Sequence, residues 1–405
     1  MKKISMLWLL FFFSHKIYGQ EHTIHTISFH GLNRTSETWL NNNLPIQPPF
    51  FSNSHNFEEI QKHLQNLNIF WHVELIPSDT TLHIHLKEKW TTIPVFRGEF
   101  GGGTGLTILG GYDTHVFGQG WTVGGEFRKY GTRPTGGVAY LRVPNLWGQY
   151  FSIDFWSTYR EQRIHSHKQW VATICSEQQK LRNRILHHIT PQVYAGLDWT
   201  MIFERPPDMK IIQETNIPPL PTHGGRNFQL LFSAVYDNIH IDRILYEGTR
   251  SVARLGVSMQ NTTLHPKADI ETFYYKKLSL RQSIAGHIFL GMNTGSALSE
   301  WYLLGGLDSV RGIPDGALIG QQALYGNFEW RHMIHKWSRI WLQGITFFDV
   351  GATEFNHADS IGLGVRIAVP QVHRLMLRID YAISRQGFSG FSIGLNHFFQ
   401  AYRPL

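Results

Sequence analysis

From Ile93 onward the chain repeats one pattern: segments of about ten residues in which apolar and polar side chains alternate strictly. In the clearest segment Ile361, Leu363, Val365, Ile367 and Val369 share one face, while Gly362, Gly364, Arg366 and Ala368 share the other. Leu324, Phe328 and Trp330 likewise oppose Tyr325, Asn327, Glu329 and Arg331. Leu375, Leu377, Ile379 and Tyr381 oppose Arg374, Arg378 and Asp380, and Phe151, Ile153 and Phe155 oppose Ser152, Asp154 and Arg160. A period of two sends successive side chains to opposite faces of a strand. A soluble sandwich also alternates, but it buries mostly aliphatic side chains against a second sheet. Here the polar face carries charges in strand centres, and Trp121, Tyr150, Tyr159, Trp301, Trp341 and Tyr381 fall near strand ends. A lipid-facing band with interfacial aromatics around a wet lumen asks for that arrangement. The expected fold is an all-β transmembrane barrel over residues 91–405, with about sixteen antiparallel strands of a length that crosses a bilayer when tilted. The strand spans run from 93–100 to 390–399 and include 169–178, 189–200 and 270–281. Two connections are long: 201–226, rich in proline, and 294–321.

Composition closes off other classes. With 14% aromatic and 17% charged residues the chain is not of the disordered type. No run approaches the roughly 18 apolar residues of a spanning helix. Lys and Arg outnumber Asp and Glu by 37 to 30, but the charges are scattered, so no nucleic-acid partner is expected. Cys175 is alone, which excludes an internal disulfide framework.

The N-terminal end differs in texture. Met1-Lys2-Lys3 and the short apolar stretch Ile4 to Phe13 have the layout of a secretory signal peptide, expected over residues 1–19. Residues 20–90 read as a small α+β module. A strand spans Thr23 to Leu32, and Thr35-Ser36-Glu37 caps a short helix to Asn43. Phe57, Ile60, Leu64 and Leu67 then recur at helical spacing. Strands Phe70 to Ile76 and Thr81 to Leu86 follow around a turn over Pro77–Thr80, giving the order β-α-α-β-β.

The connection 294–321 is the most informative segment. Leu303 to Gly316 is glycine-rich and apolar around a single arginine, Arg311. Exposed at a surface, such a loop would be an aggregation liability. Folded into the lumen, it needs an acidic partner for Arg311, because an unpaired buried charge is costly. The inward faces of the next two strands offer Glu329 and Asp349, the latter within Phe347-Phe348-Asp349-Val350-Gly351.

Val310-Arg311-Gly312-Ile313 resembles the Val-Arg-Gly-aromatic motif of the BamA/TamA superfamily of outer-membrane assembly factors and two-partner-secretion transporters. Phe347-x-Asp349-x-Gly351 is similar to that family's second motif, and the N-terminal module is similar to a polypeptide-transport-associated (POTRA) domain. The resemblance covers nearly the whole mature chain. It implies that the arginine loop enters the barrel and pairs with Asp349 and Glu329. It also implies an outer-membrane location with the module in the periplasm, and a barrel that inserts or translocates polypeptides. Its implied partners are outer-membrane lipids, unfolded client polypeptides bound through the module and the barrel seam, and accessory assembly proteins.

This sequence departs from the family pattern in four places. Ile313 stands where an aromatic is usual, so the loop tip should pack less firmly. Only one module is expected before the barrel, no room is expected for an N-terminal plug helix, and the chain continues past Phe399 to Leu405. The seam expected between the first and last strands involves Pro94, Gly98, Gly394 and Phe399. Pro94 donates no ladder hydrogen bond and Gly98 packs nothing, which would weaken that pairing, or would simply start a strand.

No catalytic constellation is present, and neither enzyme activity nor a cofactor is expected. His83-x-His85, His165-x-His167 and His187-His188 place imidazoles together without a third ligand at metal spacing. Histidine on polar strand faces accounts for them, and no metal site is expected. Two other functions fit a barrel: a passive porin, and a surface-exposed binding or adhesion barrel with its specificity in 201–226. A simple pore needs neither the module nor the arginine loop.

Overall fold

A computed structural model describes residues 23–100, 105–166, 169–212, 220–221, 223–242, 244–306, 309–373 and 375–395. The expected signal peptide and Phe399 lie outside these residues.

Alternation closes the sheet on itself. The barrel strands are β1 (Thr92–Phe100), β2 (Leu106–Val116), β3 (Trp121–Tyr130), β4 (Gly136–Leu146), β5 (Gln149–Ser166) and β6 (Gln169–Thr190). They continue as β7 (Val193–Glu204), β8 (Gly225–Asp237), β9 (Leu245–Gln260), β10 (Thr263–Lys277) and β11 (Gln282–Asn293). The last five are β12 (Gln322–Lys336), β13 (Trp341–Thr353), β14 (His357–Ala368), β15 (Met376–Ser384) and β16 (Ser389–Leu395). Each pairs antiparallel with its neighbour, and β16 pairs with β1 to close a 16-strand barrel. Two short segments, Asp208–Ile211 and His240–Asp242, add to the edges of β6 and β9.

Burial follows the alternation. Ile361, Leu363, Leu324, Phe328, Trp330, Phe155 and Tyr381 stand exposed on the outer wall. Their alternates Arg366, Asn327, Glu329, Arg331, Ser152, Asp154, Arg378 and Asp380 are buried in the lumen. An outer wall of large apolar side chains around a charged interior is the surface of a barrel that sits in lipid. Among the described residues no helix is long and apolar enough to cross a membrane. The expected aromatic girdle is corrected in part. Tyr381 does face outward, but Tyr150 and Trp341 are buried in apolar clusters and Trp301 belongs to the inward loop.

The longest correction concerns 169–178. The part of β6 that pairs with both β5 and β7 is 178–187, whereas 169–177 extends with the end of β5 past the other strands. The polar run Gln178–Arg184 hides a strand because its charges face the lumen: Arg182 and Arg184 both pair with Asp198 of β7. The strand expected over 270–281 begins at Thr263 and ends at Lys277.

The N-terminal module is a three-stranded sheet under two helices. Thr81–Glu88 is central, parallel to Thr26–His30 and antiparallel to Phe70–Ser78. The turn is shorter than expected, because Pro77 and Ser78 still pair in the strand and Asp79 takes φ 41°. Ser36 caps the helix Glu37–Asn42, and Asn53 caps Ser54–Asn66. Ile60, Leu64, Leu40, Leu82, Ile84 and Leu86 form the core. A small pair, Thr23–Ile24 with Phe50–Phe51, adds to the expected β-α-α-β-β order.

The module rests on the turns at one end of the barrel. Arg34 pairs with Asp113 at 2.9 Å, and Asn145 Nδ2 donates to Asn43. Asn66 Oδ1 accepts the Ile241 amide, and His373 bonds the Asn68 carbonyl. The chain 294–321 lies at the opposite end.

Candidate functional site

The connection between β11 and β12 folds inward as a hairpin with its own small core. Tyr302–Leu304 pairs with Leu318–Gly320. Between them Val310, Ile313 and Ala317 pack with Leu304 and Leu318 against Phe289, Ala323 and Ala358 of the wall. This explains an apolar composition in a loop: it is a core element whose solvent would otherwise be lumen water. Ile313, in place of the usual aromatic, is only 2% exposed, and its carbonyl accepts the Gly306 amide at 2.7 Å, so the tip is firmly packed.

At the tip, Arg311 is 2% exposed and meets both expected carboxylates. Its Nε and Nη2 donate to Asp349 at 2.7 and 2.8 Å, and its backbone amide donates to the same carboxylate at 3.1 Å. Nη1 donates to Glu329 at 2.7 Å. The guanidinium lies 3.5 Å from the centroid of the Phe347 ring, a cation–π contact inside a desolvated site. Asp349 and Glu329 reach it because β12 and β13 pair with Asn327 opposite Asp349 and Glu329 opposite Phe347, so all four project inward.

Two glycines make the fit possible. Gly312 takes φ +81°, which side-chain-bearing residues rarely adopt, and a Cβ there would stand 2.8 Å from the Ala382 Cβ. A Cβ on Gly351 would fall 2.6 Å from Val310 Cγ2, so the second motif's glycine is the seat of the first motif's valine.

The site is larger than the sequence reading. Asp380 of β15 lies 3.8 Å from Arg311 and accepts from Arg366 Nη1 at 2.5 Å. Arg331 Nε donates to Glu329 at 2.8 Å, and Arg378 approaches Asp380 at 3.5 Å. Asp380, Arg366, Arg378 and Arg331 all lie on polar faces marked by the alternation, but no motif singled them out. In such a network of buried charges, removing one member leaves its partners uncompensated.

The seam residues are divided. Phe391 to Gly394 pair with Phe100 to Arg97, placing Ile393 opposite Gly98 and Gly394 opposite Arg97. Pro94 lies outside that register and pairs with Gly111 on the β2 side. A Cβ on Gly394 would stand 3.6 Å from Arg378 Nη2 of the network, and Gly312 lies beside Gly390 of the last strand. The described histidines of the sequence reading lie elsewhere, and His167 lies outside the described residues. His83 and His85 are on the module sheet, where His30 Nε2 and His83 Nδ1 are 3.2 Å apart.

No protein-family model matches the chain, and no curated protein matches it. Solved structures do resemble it. BamA from Haemophilus ducreyi lacking POTRA domains 1–3 superposes with a TM-score of 0.51 at 15% identity, over 93% of this chain and 85% of that one. CdiB from Acinetobacter baumannii gives 0.61 at 12% identity, over 93% and 74%. The fold is that of the BamA and CdiB barrels. CdiB from Escherichia coli is also similar, with a TM-score of 0.54 at 8% identity over 94% of this chain and 92% of that one. At these identities the likeness is one of architecture, and the Arg311 network is read from this chain's own side chains.

Proposed function

We propose that this chain is an outer-membrane barrel that inserts or translocates polypeptides, with its module in the periplasm. The observation that carries the reading is the Arg311 loop. A passive pore gains nothing from a lumen element latched by a single arginine to Glu329 and Asp349. A polypeptide conduit does, since a plug held by a few strong, separable contacts can be displaced and returned.

Two further features support it. Thr26–His30 and Phe70–Ser78 form the outer edges of the module sheet, which is where an extended client adds a strand. The seam offers a second edge, between β1 and β16, for the same kind of addition. Clients and accessory assembly proteins are the partners this reading needs, together with lipid around the outer wall. No catalytic step or cofactor enters it.

Unfolded polypeptide supplies the test. In a planar bilayer holding the purified protein, a urea-unfolded barrel polypeptide added on the module side should produce brief current transients. A cysteine pair at Gly98 and Ile393, oxidised across the seam in a Cys175→Ser background, should suppress transients that need the seam. Current that is steady and indifferent to polypeptide on either side would mean a porin.

A further inference from the structure

The arginine end accounts for only half of what holds the inward loop. At its beginning, Leu298–Glu300 forms one turn of 3-10 helix, and Glu300 is 1% exposed. Its carboxylate is enclosed by donors from four different strands. Gln229 Nε2 of β8 and Ser258 Oγ of β9 donate to Oε1 at 2.9 and 2.5 Å. Asn293 Nδ2 of β11 donates to Oε2, and Lys267 Nζ of β10 stands 3.6 Å from it.

Flanking residues extend the grip. The Ser299 amide donates to Glu204 of β7 at 3.0 Å, and Asn227 Nδ2 donates to Ser299 Oγ at 2.7 Å. The Ser296 amide and hydroxyl both donate to Gln260 at 3.2 Å. Leu298 and Ile319 pack with Ile164, Val171 and Ile174 of the long β5–β6 hairpin.

The two attachment points of the loop therefore hold different, adjoining stretches of the wall. Arg311 is fixed to β12, β13 and β15, on the side that leads to the seam, and Glu300 to β8 through β11. We infer that Glu300 is a second latch, of opposite charge to the first, and that the lumen is cleared only when both release. Were Glu300 merely a polar residue of the rim, water would satisfy it. A buried carboxylate surrounded by converging donors is instead a point of attachment whose loss is costly. With Arg311 free and Glu300 held, the arm from Trp301 to Gly320 swings on a fixed base and still covers the far mouth. Release of Glu300 alone leaves the tip seated against Asp349. Glu300 is thus a positioning residue for the loop, and this assignment is independent of what crosses the barrel.

Planar-bilayer conductance of wild type, Arg311→Ala, Glu300→Ala and the double variant tests it. Each single change removes charged hydrogen bonds and should raise the fraction of time in large openings by about tenfold or more. The double variant should match a deletion of 304–318, with large, steady current. Arg311→Ala alone equalling the deletion, with Glu300→Ala at the wild-type level, would overturn the second latch while leaving the lumen-loop reading intact. A variant that fails to fold is bypassed by adding a restraint. Asn227→Cys with Ser299→Cys, in a Cys175→Ser, Arg311→Ala background, should close the large openings on oxidation and reopen them with reductant. No disulfide between 227 and 299, or current unaffected by one that forms, would also overturn the proposal.

Discussion

At the scale of single residues, Arg311 does what no other cation could do in its place. Its planar fork serves two carboxylates while its face lies on Phe347. Arg311→Lys should therefore restore only part of what Arg311→Ala loses. For the alanine variant we expect a loss of about 3–5 kcal/mol, reduced where lumen water reaches the carboxylates, read from the urea midpoint in bilayers. Gly351→Ala tests the seat of Val310. The added Cβ would crowd Val310 Cγ2 at 2.6 Å and should cost about 1–3 kcal/mol, visible as more frequent channel openings. The pairing of Arg311 with Glu329 and Asp349 was legible in the sequence because strand alternation fixes which carboxylates face inward. Asp380 carried the same mark, on the polar face opposite Ile379 and Tyr381, without a motif to select it. Glu300 carried none: it sits in an irregular turn, and its partners come from four strands that no local spacing connects.

At the scale of elements, the joint between module and barrel turns on Glu88. Burial raises its pKa, but the Thr35 hydroxyl and the amides of Thr35, Asn33 and Arg34 outweigh burial and hold the carboxyl below the usual range. A folded pKa below the unfolded one means stability that is present above the unfolded value of about 4.3 and lost as pH falls through the folded one. Hydrogen-exchange protection of the Asn33–Thr35 amides should hold at neutral pH and fall on acidification through that window. Glu88→Gln should remove the dependence, and protection unchanged by pH in wild type would contradict the assignment. The β5–β6 hairpin shows where element reading stops. Residues 169–178 were legible as strand, yet all but Gln178 belong to the extension beyond the barrel. The crossing part, 178–187, was hidden by charges that the lumen neutralises through Asp198. Because Ile174 packs under the base of the inward loop, Ile174→Ala should cost about 2–5 kcal/mol. Faster proteolysis within 294–321 is the measurement that would show it.

At the scale of the whole molecule, one sheet provides the wall, and both ends are covered by elements the wall itself positions. The module is tied to turns spread around one rim, at Asp113, Asn145, Ile241 and His373. The inward loop spans the other, from β8–β11 to β12–β15. This division was legible from the change of period near Lys89 and from one apolar connection in an otherwise polar set. The pairing of the last strand with the first was also expected, but its register was not legible, since register across a seam depends on curvature accumulated over every strand between. The central claim is that the loop occupies the lumen of a barrel that opens on demand. Planar-bilayer conductance of the wild-type protein beside a deletion of 304–318 tests it most directly. We expect small, flickering current from the wild type and large, steady current from the deletion; large, steady current from the wild type itself would contradict the claim.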